Sequence, residues 1–292
     1  MSVLRTVEAV PSRVAGLVRY LLRCPRQRED RDRLEAALSP ASLRSEQRDT
    51  PMVREVVLEC HRLGLTVADG GDVRLADLVC ERMGRGRFND STYRDTLVDL
   101  LLGDPNGENG DLAKLLTWFL AQDPARFDGE QTAVIQQVRE QLGADALAIN
   151  DNVFRDFRYW GVYLGFAKVL ALPARGERLL PDPTPYIERS LPALFFEGRR
   201  QQVGLPEMLS RLAARCPAFD GGRVYDELRA FLPSRPDGHA AWSLSLALLR
   251  LHGRGLIQLS IQSDAPSVVL LDGLAQERFT HAAWAGAARG GQ

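Results

Sequence analysis

Two stretches of this 292-residue chain read as three helices followed by a short β-hairpin, and the stretch between them reads as helices alone. Together these patterns predict a mainly α fold with small β-hairpins, arranged as tandem winged-helix domains flanking a helical middle domain. The expected boundaries are 1–80 for the N-terminal winged domain, 81–172 for the helical middle domain and 173–204 for a linker and lead-in helix. Residues 205–292 then form the C-terminal winged domain with a helical tail.

In the first domain, "SRVAGLVRYLLR" (Ser12–Arg23) places Val14, Leu17, Val18, Leu21 and Leu22 at helical spacing, and Cys24-Pro25 ends it. "QREDRDRLEAAL" (Gln27–Leu38) is a second helix, stopped by Ser39-Pro40. Pro51 opens a third through Arg62, and Gly64 suits its C-terminal cap. Leu65-Thr66-Val67 and Val73-Arg74-Leu75 can then pair across Asp69-Gly70-Gly71-Asp72, which predicts a hairpin over about 65–75. Near the C-terminus the pattern returns, with helices over Leu205–Arg215, Gly222–Phe231 and Gly238–Arg254. "LIQLSI" and "SVVLL" predict a second hairpin over about 256–271. The junctions "HRLGLTV" and "HGRGLIQL" match in kind, so the repeat is one of pattern. Between the two domains, Ser91–Leu102, Asp111–Gln122, Gly129–Leu142 and Asp151–Leu172 read as helices. "ERMGRGRF" (Glu81–Phe88) and the proline-rich run Pro173–Pro185 read as linkers.

Composition narrows the function. The net charge is −1, so no global field draws the chain to nucleic acid, and any contact must come from a local patch. Lys114 and Lys168 are the only lysines; the remaining cations are arginines, which suit bidentate contacts. No signal-peptide pattern or transmembrane-length apolar run is present, which predicts a cytoplasmic protein without a membrane partner. Cys24, Cys60, Cys80 and Cys216 form no C-x-x-C pair, so they read as reduced thiols without a metal.

No motif points to catalysis. The loop from Asp104 to Asp111 has oxygen side chains at 104, 106 and 108 like a calcium loop. It lacks the Gly and Glu such a loop needs, with Asn109 and Leu115 in their places, and reads as a polar turn. "VFRDFRYWGVYLGFAKVL" (Val153–Leu170) interleaves aromatics with Arg155 and Arg158; at helical spacing its rings read as core, with the arginines along one edge. His61, His239, His252 and His281 form no metal-binding pair, and His61 and His252 sit at equivalent helix ends. A P-loop, a nucleophile elbow and the paired acids with lysine of a restriction-type nuclease are all missing. The expectation is a chain with no intrinsic hydrolase or nuclease activity, no cofactor and no metal.

The two third helices differ in charge. The first carries Glu55 and Glu59 beside Arg54 and Arg62, and carboxylates near phosphates oppose binding, so it suits a protein partner. The second has no acid and offers His239, Ser243, Arg250 and Arg254, with Arg235 just upstream; these five residues are the candidate DNA contacts.

The segments "VPSRVAGLVRYLL" and "FRDFRYWGVYLGFA" resemble DpdG, a protein of bacterial gene clusters that place 7-deazaguanine derivatives in DNA and restrict unmodified DNA. The resemblance implies a non-enzymatic component of a phage-defence system that works with other proteins of its cluster. The leading expectation is therefore a DNA-binding or DNA-associated adaptor. The alternative is a winged-helix protein-docking subunit of a larger complex, without direct DNA contact. The expected partners are DNA, the other cluster proteins and, as an open alternative, a further copy of the chain.

Overall fold

A computed structural model describes residues 2–6, 8–40, 42, 52–84, 87–104, 107–143, 147–174, 176–196, 201–272 and 275–284. In the first unit, α1 (Pro11–Arg23) is followed by β1 (Arg28–Asp30), α2 (Arg31–Leu38), α3 (Met52–Arg62), β2 (Thr66–Asp69) and β3 (Asp72–Leu75). Pro11 stands at the start of α1, where its missing N–H costs nothing, and Val14, Leu17, Val18 and Leu21 form its buried stripe. Asp30 caps α2 by accepting from the Arg33 amide. The three strands form an antiparallel sheet in the order β1-β3-β2, with Asp69 opposite Asp72 across the hairpin turn. The expected second helix thus begins at Arg31, because residues 28–30 leave it to pair with β3. The expected opening of the third helix at Pro51 lies outside the described residues.

The helix-to-strand junction has one geometry. Gly64 has φ +70°, a left-handed conformation that a side chain would strain. Its N–H donates to His61 O, and the Leu65 N–H donates to Cys60 O. The same two bonds occur at Gly255, where its N–H meets His252 O and the Leu256 N–H meets Leu251 O. They occur a third time at Gly165, in the region expected to be helical throughout.

After α4 (Asp77–Met83), the middle region contains α5 (Asp90–Leu102), α6 (Gly110–Ala121), α7 (Gln131–Leu142) and α8 (Asp151–Leu164). The expected helix over Asp151–Leu172 stops at Leu164. Gly165 turns the chain into β4 (Ala167–Leu172), which pairs with β5 (Gly176–Pro181). Much of the expected linker 173–185 is therefore the second half of a hairpin. A third chain segment lies against β5, as the Leu179 N–H donates to Gly129 O at 2.9 Å. Gly129 stands two residues before α7, as Glu29 stands before α2 and pairs with Val73 of β3. The element order of the first unit is thus repeated from α6 to β5.

The last unit runs through α9 (Thr184–Phe196), β6 (Gln202–Gly204), α10 (Leu205–Arg215), α11 (Arg223–Leu228) and α12 (Trp242–Gly253). It ends with β7 (Ile257–Ser260), β8 (Val268–Asp272), β9 (Ala275–Phe279) and β10 (His281–Trp284). The sheet order β6-β10-β7 repeats β1-β3-β2, with the last strand in the centre. The expected strands over 256–271 are present, but they do not pair with each other. β7 pairs with β10, while β8 pairs with β9 as a hairpin inserted between them. Residues 275–284, expected within a helical tail, are strands because they complete these two ladders; residues 285–292 lie outside the described residues.

One continuous cluster of buried side chains runs from Val3 to Ala282. At its centre lies α6, buried on nearly every side and packed against α5, α11 and α12. Glu59 of α3 is also interior, at 1 % exposure, with Thr6 Oγ1 donating to it at 3.2 Å and Arg62 at 3.5 Å. Burial raises its pKa, and Thr6 and Arg62 only partly oppose this. A raised carboxylate stabilises the fold fully below its unfolded pKa, and this contribution is lost as pH rises through the folded value. Glu59→Gln, which mimics the protonated acid, should therefore gain thermal stability relative to wild type between about pH 4 and neutrality. A melting-temperature gap that stays constant across a pH series would contradict this.

Candidate functional site

Of the five expected DNA contacts, Ser243 is buried, while the Arg250 and Arg254 side chains are 44 % and 53 % exposed. Ser243, in the first turn of α12, is 2 % exposed and its hydroxyl donates to Leu120 O of α6. This corrects the expectation that it lies on a surface, because α6 and α9 pack against α12. Arg250 of α12 pairs with Asp182 at 2.7 Å. Arg254 grips Glu188 of α9 with both ends of its fork, at 2.7 and 3.1 Å. His239 stands before α12, with Nδ1 3.1 Å from Asp237 O.

Arg235 is tied on three sides. Its Nε donates to His239 O at 2.8 Å, its Nη1 contacts the Tyr225 hydroxyl and its Nη2 contacts Asp220. Its guanidinium also lies over the Tyr225 ring, 5.2 Å from the centroid. Burial raises the Tyr225 pKa, and the Arg235 cation partly offsets that effect. The arrangement braces the segment that leads into α12. Arg235→Ala should lower unfolding stability by about 2 kcal/mol, since hydrogen bonds to a charged group are lost and Asp220 is left half-buried. Urea denaturation measures this; an unchanged midpoint would mean that the brace carries no load.

In the first unit, Glu59 is turned inward, so only Glu55 of the two expected acids is partly exposed on α3. Arg54 is held by Glu35 at 3.0 Å, and Arg62 by Glu59. His61 Nδ1 lies 2.8 Å from Thr66 Oγ1 of β2, and His252 Nδ1 lies 3.3 Å from Ile257 O of β7. These equivalent histidines tie a helix end to the following strand, the structural role their positions suggest.

In α8 most of the aromatic run is core: Phe154, Phe157, Trp160 and Phe166 are buried. Tyr163 is partly buried and Tyr159 is exposed, at 45 %, with Val162 at 39 % one turn further on. Tyr159 and Val162 line an open groove where the start of α1 meets α8 and β4. The i, i+3 spacing of Tyr159 and Val162 was legible in the sequence, but the surrounding rings hid it. Arg155 contacts Asp156 at 3.0 Å, and Arg158 contacts Glu177 at 2.5 Å. Among the described residues no group of three or more His, Cys, Asp or Glu side chains is placed to hold a metal ion. None of the described helices is long and apolar enough to cross a membrane.

A family model described as DpdG-like matches residues 1–265. The chain belongs to the DpdG-like family. Membership agrees with the resemblance of its N-terminal and α8 segments, and it suggests that this DpdG-like chain is involved in a DNA modification system, alongside other proteins of that system. No curated protein and no solved structure matches this DpdG-like chain.

Proposed function

We propose that this DpdG-like chain is a non-enzymatic adaptor of a DNA modification system that docks partner proteins on winged-helix units. The winged-helix reading is supported by the order helix, strand, helix, helix and two-stranded hairpin in the first unit, and by the central place of the last strand in both β1-β3-β2 and β6-β10-β7. The observation that carries docking over direct DNA contact is the burial of Ser243, in the first turn of α12 where a recognition helix presents its base-reading residues. Arg250 and Arg254 are each already paired with one carboxylate, Asp182 and Glu188. A DNA-binding face instead gains affinity from cations that exchange only mobile counterions. An exposed Tyr and Val beside arginines has the composition of a protein contact.

The test sets the purified chain against duplex DNA across a salt series, and against the purified proteins of its own modification system. The docking reading expects stable protein complexes and no steeply salt-dependent DNA binding. Tight DNA binding with a slope of several units, weakened by Arg235→Ala with Arg250→Ala, would restore the direct DNA adaptor and sink the docking reading.

A further inference from the structure

We infer that the groove between α1, α8 and β4 is the docking site, and that it takes an acidic, apolar segment of a partner protein. The inference rests on the docking function proposed above. The groove holds about 560 Å3, within the roughly 300–1,000 Å3 typical of concave binding sites. Its apolar lining comes from Val10 and Pro11 at the start of α1 and from Tyr159, Val162 and Val169 of α8 and β4. Tyr159 and Val162 keep 45 % and 39 % of their surface exposed although each lies beside core residues of the same helix. A large exposed ring on a fixed helix costs little conformational entropy to bury, which is why Tyr and Arg dominate protein-contact hot spots.

Charge selects the occupant. Arg13 and Arg158 both line the groove, and among the described residues no carboxylate does. Their own partners, Glu8 and Glu177, hold them from outside it. Each guanidinium has five N–H donors in a fork, so one carboxylate does not exhaust it. A segment that sets bulky apolar side chains against the apolar lining and a carboxylate beside Arg13 or Arg158 would satisfy both features. A basic segment would leave the remaining guanidinium donors without an acceptor.

The experiment uses fluorescently labelled peptides that tile the other proteins of the same modification system. Binding to the full chain is read by anisotropy, and binding of the full-length proteins by interferometry. We expect the peptides that bind to carry Asp or Glu next to large apolar residues. Val162→Asp should weaken them at least tenfold, and Tyr159→Lys should do the same, with melting temperatures near wild type because both sites are exposed. Arg158→Glu should also weaken them, and a peptide with Lys in place of its carboxylate should regain binding to that variant.

Three results would overturn the assignment. Full-length partners that bind wild type and Val162→Asp equally would place docking on another surface and leave the docking function intact. Self-association of the chain that Val162→Asp dissolves would make the occupant a second copy. Failure of every peptide and every full-length partner to bind would remove both the site and the docking function.

Discussion

Gly129→Ala is expected to destabilise the protein by about 3 kcal/mol, at the upper end of overpacking costs. A Cβ at this position would sit 2.1 Å from Leu179 O and 2.8 Å from Leu179 N. Both are backbone atoms of β5, so no rotamer change relieves the clash. The chain must part, and the bond from the Leu179 N–H to Gly129 O is lost with it. Gly16→Ala is the natural control, because nothing lies within 4 Å of the new methyl and the residue is inside α1. That change should stabilise by roughly 0.5–1 kcal/mol, the usual gain of Ala over Gly in a helix. Urea midpoints for the two variants should move in opposite directions. If Gly129→Ala behaved like Gly16→Ala, the third segment of the middle unit would not be packed against β5.

Trp118→Ala should cost about 3–5 kcal/mol, the range for deleting a buried aromatic. Trp118 is fully buried in α6, its indole N–H donates to Gln141 Oε1 at 2.6 Å and its ring meets Phe127 edge-on at 5.9 Å. Truncation leaves a cavity in the helix that the other elements surround, and it orphans the Gln141 oxygen. Trp118→Phe should cost less, because a ring remains opposite Phe127. Tyr159→Ala, outside the core, should stay within about 0.5 kcal/mol of wild type. Equal losses for Trp118→Ala and Tyr159→Ala would mean that α6 is not the centre of the fold.

The helix ends were the most legible part of the fold. Gly64 and Gly255 announce left-handed caps, and the apolar runs after them announce strands. Gly165 carries the same signal in "YLGFAKVL", but the aromatic residues on both sides of it continue a helical spacing. Only Ala167 at the start of β4 is buried, so the strand has no clear alternation to oppose that reading. The three-residue strands β1 and β6 are too short to show any period, and their partners lie far along the chain. The pairing of β7 was equally hidden. Two apolar runs across a short polar turn resemble a hairpin, whereas the central position went to β10, beyond a second hairpin.

The surface chemistry was less legible than the fold. The absence of acids within α12 was read correctly, but the carboxylates that hold its arginines come from Asp182 and Glu188, outside the helix. Charge along one helix says nothing about charge packed against it. Ser243 was similarly opaque, since a polar residue in a first turn looks exposed until α6 is laid over it.

The central place of β10 bears on the order in which the molecule can assemble. The first sheet has all three strands once Leu75 has been synthesised, so the N-terminal unit can close early as the chain emerges. The last sheet cannot. Its outer strands β6 and β7 wait for His281–Trp284, with β8 and β9 made in between. Until then each presents an open ladder edge, an invitation to pair with a neighbouring chain. Loss of the final strand would therefore show itself as aggregation during synthesis rather than as a missing surface. The long sequence separation of its contacts should make closure of the C-terminal sheet the slow step of refolding.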